Sequence, residues 1–267
     1  MAQSRVLKAR DLSVTRGTRT VIQKLDLEIF QGDIVCFVGE NGSGKTTLIE
    51  SLLGIIPLTK GQVEWFSEKD EPLIIRNYSG TRQKPHPFGL TLQSDGVCGE
   101  EKVTERLITA LNVAGIDCSQ LEAIQILEEW GMSHRGEDRV SQLSAGLRRR
   151  LAVISGMAPA IMCEAPRLVF LDEPSEGLDT FSRGVLKKWI SELSQYGNAI
   201  VMASHDEEII ACSSRILTIE SGEISETKNN IEEDLDIERQ FLSERETKTI
   251  TSLFSWSYSI ERRNPVD

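Results

Sequence analysis

No uninterrupted apolar run in this sequence approaches the length of a membrane span. Runs such as those at 34–38 and 168–171 fall far short of the roughly 18 to 20 residues that a bilayer requires, so no segment is expected to cross one. The stretch from Met1 to Arg5 leads directly into polar residues and lacks the apolar core and small-residue cleavage site of a secretory leader, which predicts a cytoplasmic protein. Cysteine is sparse and scattered. Cys36, Cys98, Cys118, Cys163 and Cys212 are odd in number and never form a C-x-x-C pair, so neither a disulfide framework nor a zinc site is indicated. Basic charge is in deficit, with 30 Lys and Arg against 41 Asp and Glu and a net charge of -11. That balance opposes non-specific binding to nucleic acid or to an anionic membrane, both of which are held chiefly by Lys and Arg, and no nucleic-acid partner is expected. No internal repeat is visible.

What is present is enough for a globular fold: 267 residues, 39% of them hydrophobic, can bury a sizeable core. Alternating runs at 6–14 and 20–30 with Gly17 between them predict an antiparallel hairpin. From Asp33 the pattern becomes a continuous apolar strand, a glycine-rich loop and a helix beginning near Gly44, the opening of an α/β unit. Further strands are predicted at 62–66, 72–78, 167–171, 199–203 and 215–219. Between about 87 and 142 no strong strand is legible, whereas 103–113 and 121–130 carry helical spacing, which predicts an inserted helical subdomain. After Gly222 the composition turns polar and charged, which places a boundary near residue 225. It separates a main domain of 1–225 from an extension of 226–267 without a legible role. Within that extension, 251–260 alternates apolar or aromatic residues with Ser, as a strand with one apolar face would, to be covered by the main domain or by a partner or membrane surface.

The most specific motif is Gly39-Glu40-Asn41-Gly42-Ser43-Gly44-Lys45-Thr46, which matches the P-loop pattern G-x-x-x-x-G-K-[ST] and sits between a predicted strand and a predicted helix. Phosphate needs several backbone N–H donors at short range. Glycines let the chain wrap closely, and the helix N-terminus adds partial positive charge. Lys45 is expected to reach the β- and γ-phosphates and Thr46 to offer its hydroxyl to Mg²⁺. A second apolar strand ends in Asp172-Glu173, the arrangement in which one carboxylate steadies hydrated Mg²⁺ and the next orients or deprotonates the attacking water.

Upstream of that strand by about one helix lies Leu143-Ser144-Ala145-Gly146-Leu147-Arg148-Arg149-Arg150, which resembles the signature L-S-x-G-x-x-x-R of ABC ATPases. The resemblance covers about residues 5–222, and its other parts fall in the family's order. It implies an α/β fold: a P-loop NTPase core with a mostly parallel sheet, an N-terminal antiparallel β subdomain and an inserted α-helical subdomain. It implies ATP and Mg²⁺ as ligands, with Gly39, Glu40, Asn41, Gly42, Ser43, Gly44, Lys45, Thr46 and Thr47 around the phosphates and Thr46 and Asp172 at the metal. Glu173 and His205 join Lys45 as the expected catalytic group, His205 as the switch histidine that contacts the γ-phosphate. Asp179, in Glu176-Gly177-Leu178-Asp179, is the D-loop aspartate. Gln83 is preferred to Gln93 as the Q-loop glutamine and metal ligand, because it follows the predicted strand 72–78.

Ser144 and Gly146 start a predicted helix, a second anion site as well as an ordinary N-cap. In the family the signature of one subunit closes over the γ-phosphate held by the P-loop of another. The resemblance therefore implies a second copy or a related ABC ATPase as one partner and an integral membrane transporter subunit as the other, with the chain peripheral on the cytoplasmic face. The sequence departs from the pattern at Arg16, where an adenine-stacking aromatic is usual. A guanidinium can stack on a base or can be a solvated turn residue. Ala145 and Leu147 replace a common Gly and Gln or Glu, while the signature Ser and Gly remain. The alternative is an ABC ATPase serving a cofactor-assembly or regulatory complex. Long heptad insertions and a second P-loop, the marks of chromosome-type and tandem translation ATPases, are absent.

Overall fold

Alternation of apolar residues over Arg5–Arg16 (β1) and Arg19–Phe30 (β2) produces a hairpin that turns at Gly17, whose φ of 61° suits a residue without Cβ. The computed structural model describes residues 4–67, 69–93, 99–163 and 167–228; Cys98 and the alternating segment 251–260 lie outside them. After the hairpin come β3 (Ile34–Val38), α1 (Lys45–Leu52), β4 (Lys60–Phe66), β5 (Pro72–Asn77) and β6 (Gly89–Thr91). The helices α2 (Val103–Val113) and α3 (Gln120–Glu129) follow, then α4 (Ala145–Ile161), β7 (Leu168–Asp172), α5 (Thr180–Gln195) and β8 (Ala199–Ala203). A short α6 (Glu207–Ile210) leads to the closing pair β9 (Arg215–Glu220) and β10 (Glu223–Lys228). Among the described residues no helix is long and apolar enough to cross a membrane.

The strands form two sheets. One is antiparallel, in the order β2-β1-β4-β5. The other runs β10-β9-β3-β8-β7-β6 and is parallel from β9 to β6, with β10 returning antiparallel on its edge. The α/β architecture expected from the sequence is the one observed. The strand β6, however, lies within the span read as strandless, and at three residues it is too short to carry a period. The composition shift near residue 225 does not interrupt the sheet, because β10 pairs with β9 as far as Lys228.

Side chains of the parallel sheet divide by parity, as the period of a strand requires. Ile34, Cys36, Val169, Leu171, Ile200 and Met202 face one core, shared with α2, α3, α4 and α5. Val35, Phe37, Leu168, Phe170, Val201 and Ala203 face the other, shared with α1 and the antiparallel sheet. Each core is pinned by buried indoles. Trp65 stacks on Phe170 at 5.8 Å between centroids and donates to the Leu52 carbonyl, while Trp189 meets Trp130 edge-on and donates to Glu129.

The long helix α4 crosses β6 at backbone contact. A Cβ on Gly156 would lie 2.2 Å from Thr91 Oγ1 and 2.5 Å from the Leu90 carbonyl oxygen, so only glycine allows this approach. Gly156→Ala is expected to cost about 1–3 kcal/mol of unfolding free energy, because helix and strand must separate. Gly184, exposed in α5 with nothing within 4 Å of its would-be Cβ, gives the opposite sign: Gly184→Ala is expected to gain about 0.5–1 kcal/mol. Urea denaturation of the two variants checks both.

Burial pushes the Glu192 carboxyl on α5 up to about 7, with Lys188 opposing and Glu129 reinforcing the rise. A raised acid binds its proton more tightly in the folded chain, so its stabilising contribution is full below the ordinary value of 4.5 and is lost as pH rises through about 7. Glu192→Gln is therefore expected to stabilise the fold at pH 8 by about 1 kcal/mol, allowing for partial solvent screening, and to lose that advantage by pH 5. Thermal melts of both proteins across that range test the sign.

Candidate active site at the carboxyl ends of three parallel strands

The neighbouring strands β3, β8 and β7 run in the same direction and end at the same edge of the sheet, each delivering a functional segment. From β3 the chain enters the loop 39–44, where Gly39, Gly42 and Gly44 adopt φ of 149°, 78° and 118°. A Cβ on Gly39 would stand 2.5 Å from the Ile219 carbonyl oxygen, and one on Gly44 the same distance from Val21 Cγ1, so both glycines are sterically required. The loop closes as Gly44 becomes the cap residue of α1, and the Gly44 carbonyl accepts from the Leu48 N–H at 2.8 Å. The Lys45 ammonium is almost buried and donates back to the Gly39 and Glu40 carbonyls at 2.8 and 3.3 Å. The Ser43 hydroxyl is buried beside them without a hydrogen-bond partner.

Opposite the loop, β7 delivers Asp172 and Glu173. The Thr46 hydroxyl donates to Asp172 Oδ2 at 2.8 Å, which ties the first turn of α1 to the end of β7. Burial raises the Asp172 carboxyl above its ordinary range, opposed first by the Thr46 hydrogen bond. Glu173 stands at a φ of 48°, a left-handed conformation unusual for a residue with Cβ. Its N–H donates to the Ala203 carbonyl of β8 at 2.9 Å, and its carboxylate oxygen lies 2.9 Å from His205 Nδ1 and 3.3 Å from the His205 backbone nitrogen. The carboxylate is nearly buried while the imidazole is 70% exposed, so the pair spans the wall and the mouth of the site.

Val21, Asn41, Gly42, Gly44, Lys45, Thr46, Thr47, Gln93, Asp172 and Glu173 enclose an open cleft of about 330 Å³. The loop geometry, the cationic Lys45 and the helix N-terminus suit phosphate oxygens. For a divalent cation, Thr46 and Asp172 supply two adjacent oxygens, and no group of three or more His, Cys, Asp or Glu able to hold a metal occurs among the described residues. That donor set fits Mg²⁺, which binds through one or two protein oxygens and completes its shell with phosphates and water.

Several expected site residues lie elsewhere. Gln83 is exposed, with its backbone N–H on the Ile75 carbonyl, and does not line the cleft; Gln93 does. The strand that leads into this glutamine is β6, which ends at Thr91 two residues before Gln93, and not the earlier β5. Arg16 is absent from the cleft lining and forms an ion pair with Glu50 of α1 at 2.5 Å. Ser144 caps α4, its hydroxyl accepting from the Leu147 N–H at 3.3 Å, and Gly146 packs near the Gly177 carbonyl. Asp179 caps α5 through Ser182 and pairs with Arg150 at 2.7 Å; the Ser182 hydrogen bonds hold its carboxyl below the usual carboxylate range. Neither Ser144 nor Asp179 lines the cleft of its own chain.

Sequence reasoning overlooked Arg149. This almost fully buried side chain donates to the carbonyls of Leu92 and Gln93 and to those of Asp172 and Glu173. The run Arg148-Arg149-Arg150 was its only signal, since three consecutive helical positions cannot all face solvent.

Residues 22–176 match the ABC transporter family model. The chain is similar to the bacitracin transport ATP-binding protein BcrA of Bacillus licheniformis, at 32% identity over 207 residues, 76% of this chain and 62% of that one. It is similar to the ergothioneine transport ATP-binding protein EgtV of Helicobacter pylori, at 30% identity over 76% of this chain and 91% of that one. The chain thus spans less than two thirds of the bacitracin relative and nearly all of the ergothioneine relative. In fold it is similar to an ATP-binding subunit of an ABC transporter, with a TM-score of 0.70 at 20% identity over 93% of this chain and 99% of that one. A dimeric post-hydrolysis state of the cassette MJ0796 bound to ADP and Pi aligns with a TM-score of 0.68 at 19% identity, over 83% and 98%.

The two glutamines separate cleanly by assay. Gln93→Ala is expected to lower ATP turnover about tenfold or more, because the residue lines the cleft together with Lys45, Asp172 and Glu173. Gln83→Ala, remote from the cleft, is expected to stay within about twofold of the parent. Steady-state ATPase measurements on both variants decide the assignment.

Proposed function

The chain belongs to the ABC transporter family, and we propose that it binds ATP in the cleft above α1, hydrolyses it, and passes the closing and opening of a cassette pair to an integral membrane partner. The observation that carries this reading is the facing of two built elements. A glycine cradle with Lys45 at its centre lies opposite an acidic strand end in which Asp172 bonds Thr46 and Glu173 touches His205. The relatives named as transport ATP-binding proteins of bacitracin and ergothioneine support the transport part of the reading.

In this reading the backbone N–H groups of 39–46 and the Lys45 ammonium hold the β- and γ-phosphates in line for attack. Lys45 exchanges its bonds to the Gly39 and Glu40 carbonyls for phosphate oxygens without leaving the loop. Thr46, Asp172 and Gln93 would hold Mg²⁺, which when bound offsets the negative charge of the phosphates. Glu173 accepts the proton of the attacking water, and His205, exposed at the mouth, hydrogen-bonds the γ-phosphate and senses its loss.

Ser144 and Gly146 do not line the cleft of their own chain and sit at the N-terminus of a 17-residue helix, a partial positive charge with a hydroxyl beside it. They close over the nucleotide of a second copy or a related cassette, with Asp179 at the same junction. The pair then works on the cytoplasmic face of the membrane through its partner.

The deciding assay is Mg²⁺-dependent ATP hydrolysis by the purified chain with Glu173→Gln alongside. The variant is expected to lose about 10²- to 10⁴-fold in turnover, to keep its ATP affinity, and to run as an ATP-dependent dimer on size exclusion. Full turnover in Glu173→Gln would remove Glu173 from the mechanism, and ATP binding without any dimer, with or without the membrane partner, would overturn the pairing.

A further inference from the structure

The last paired rung between β6 and β7 joins Thr91 to Leu171, and beyond it the backbone carbonyls of the two chain segments face each other without pairing directly. Those carbonyls belong to Leu92 and Gln93 on one side and to Asp172 and Glu173 on the other. A single guanidinium bridges them. Arg149 Nη1 donates to Leu92 O at 2.5 Å and Gln93 O at 3.3 Å, and Nη2 donates to Asp172 O at 3.0 Å and Glu173 O at 2.6 Å. The planar fork thus extends the sheet by one rung made of side chain, past the point where backbone pairing stops. Its place is set by α4, which crosses β6 at the Gly156 contact and so cannot slide without breaking that approach.

We propose that Arg149 is a positioning residue for ATP hydrolysis, holding Gln93 and Glu173 in register across the cleft from a helix whose first turn carries Ser144. The inference rests on the ATPase reading given above. Gln93 and Glu173 line the cleft from different strands, and their side chains meet the nucleotide correctly only if the two strand ends keep a fixed separation. Glu173 is held at its N–H by Ala203, at its carbonyl by Arg149 and at its carboxylate by His205, which over-determines a backbone conformation that is unfavourable in isolation. Arg149 also lies five positions after Ser144, on the same helix. A movement of the α4 N-terminus, where a second cassette would engage, therefore reaches the carbonyls behind this chain's own Gln93 and Glu173 through one side chain. A lysine keeps the charge but offers one nitrogen, which cannot span both strand ends.

The test compares wild type, Arg149→Lys and Arg149→Gln for ATP turnover, ATP affinity by a fluorescent nucleotide, and melting temperature. Arg149→Lys is expected to lower kcat about 10- to 100-fold with ATP affinity within about threefold, because the P-loop is untouched while the groups that act on the γ-phosphate lose their register. In a Gln93→Ala background the Arg149→Lys loss is expected to shrink, since the two act through one geometry. Wild-type kcat in a folded Arg149→Lys protein, or additive losses in the double variant, overturns the proposal. So does failure of both Arg149 variants to fold, which would assign the residue to stability alone. A wild type that neither binds nor hydrolyses ATP, alone or with its membrane partner, overturns the ATPase reading and this proposal with it, and that outcome is visible before any Arg149 variant is made.

Discussion

Parallel alignment of β3, β8 and β7 is the constraint from which the site follows. A parallel strand needs a crossover connection to bring the chain back, so three neighbouring parallel strands must release their loops at one edge. Gly39 and His205 stand 166 residues apart along the chain, with the Asp172-Glu173 pair between them in sequence, yet all lie at that edge. The sheet is buried on both faces, and its side chains divide by parity between two cores, so a one-residue slip of β7 would exchange Leu171 with Phe170 and carry Asp172 out of reach of Thr46. Register, enforced by packing, is therefore what sets the 2.8 Å contact between α1 and β7.

The same arrangement explains how so many charged groups survive with little solvent. Lys45, Arg149, Asp172 and Glu173 are all buried or nearly so. Each is met by carbonyls, hydroxyls or an opposite charge: Lys45 by Gly39 and Glu40, Arg149 by the strand ends, Asp172 by Thr46, Glu173 by His205. A buried charge without such partners would cost several kcal/mol, and a buried charge that is fully bonded is rigid. Rigidity is useful where phosphoryl transfer depends on positioning. The Ser43 hydroxyl, by contrast, is buried in the loop 39–44 without a hydrogen-bond partner.

What the sequence made legible was whatever the backbone chemistry forces into a fixed pattern. The P-loop reads out because phosphate binding demands glycines at fixed places before a helix, and the strands 34–38 and 199–203 read out because double burial demands continuous apolar residues. Capping was legible as well, since Ser144 does start α4. Less was legible where tertiary context replaces local pattern. Three residues of β6 carry no period, so the glutamine that follows it was passed over for Gln83, which follows a longer strand of the other sheet. Arg16 stands where the family usually has an aromatic, and its ion pair with Glu50 depends on a residue 34 positions away in sequence, on α1. Arg149 was hidden among three arginines because nothing local distinguishes the one that turns inward.

Glu173 gathers these points into one physical account. Its left-handed backbone would cost on the order of 1–3 kcal/mol in an isolated chain, and a glycine would avoid that cost. A glycine, though, would leave no carboxylate beside His205. The conformation turns the chain sharply after β7, so that Asp172 faces Thr46 while the next side chain reaches His205 at the end of β8. Bonds from Arg149 to its carbonyl and to the Ala203 carbonyl from its N–H offset the unfavourable torsion by tying the peptide to α4 on one side and β8 on the other. A residue held by two elements responds when either moves. The strained backbone at Glu173 is thus the point where the end of β7 is tied at once to α4 and to β8.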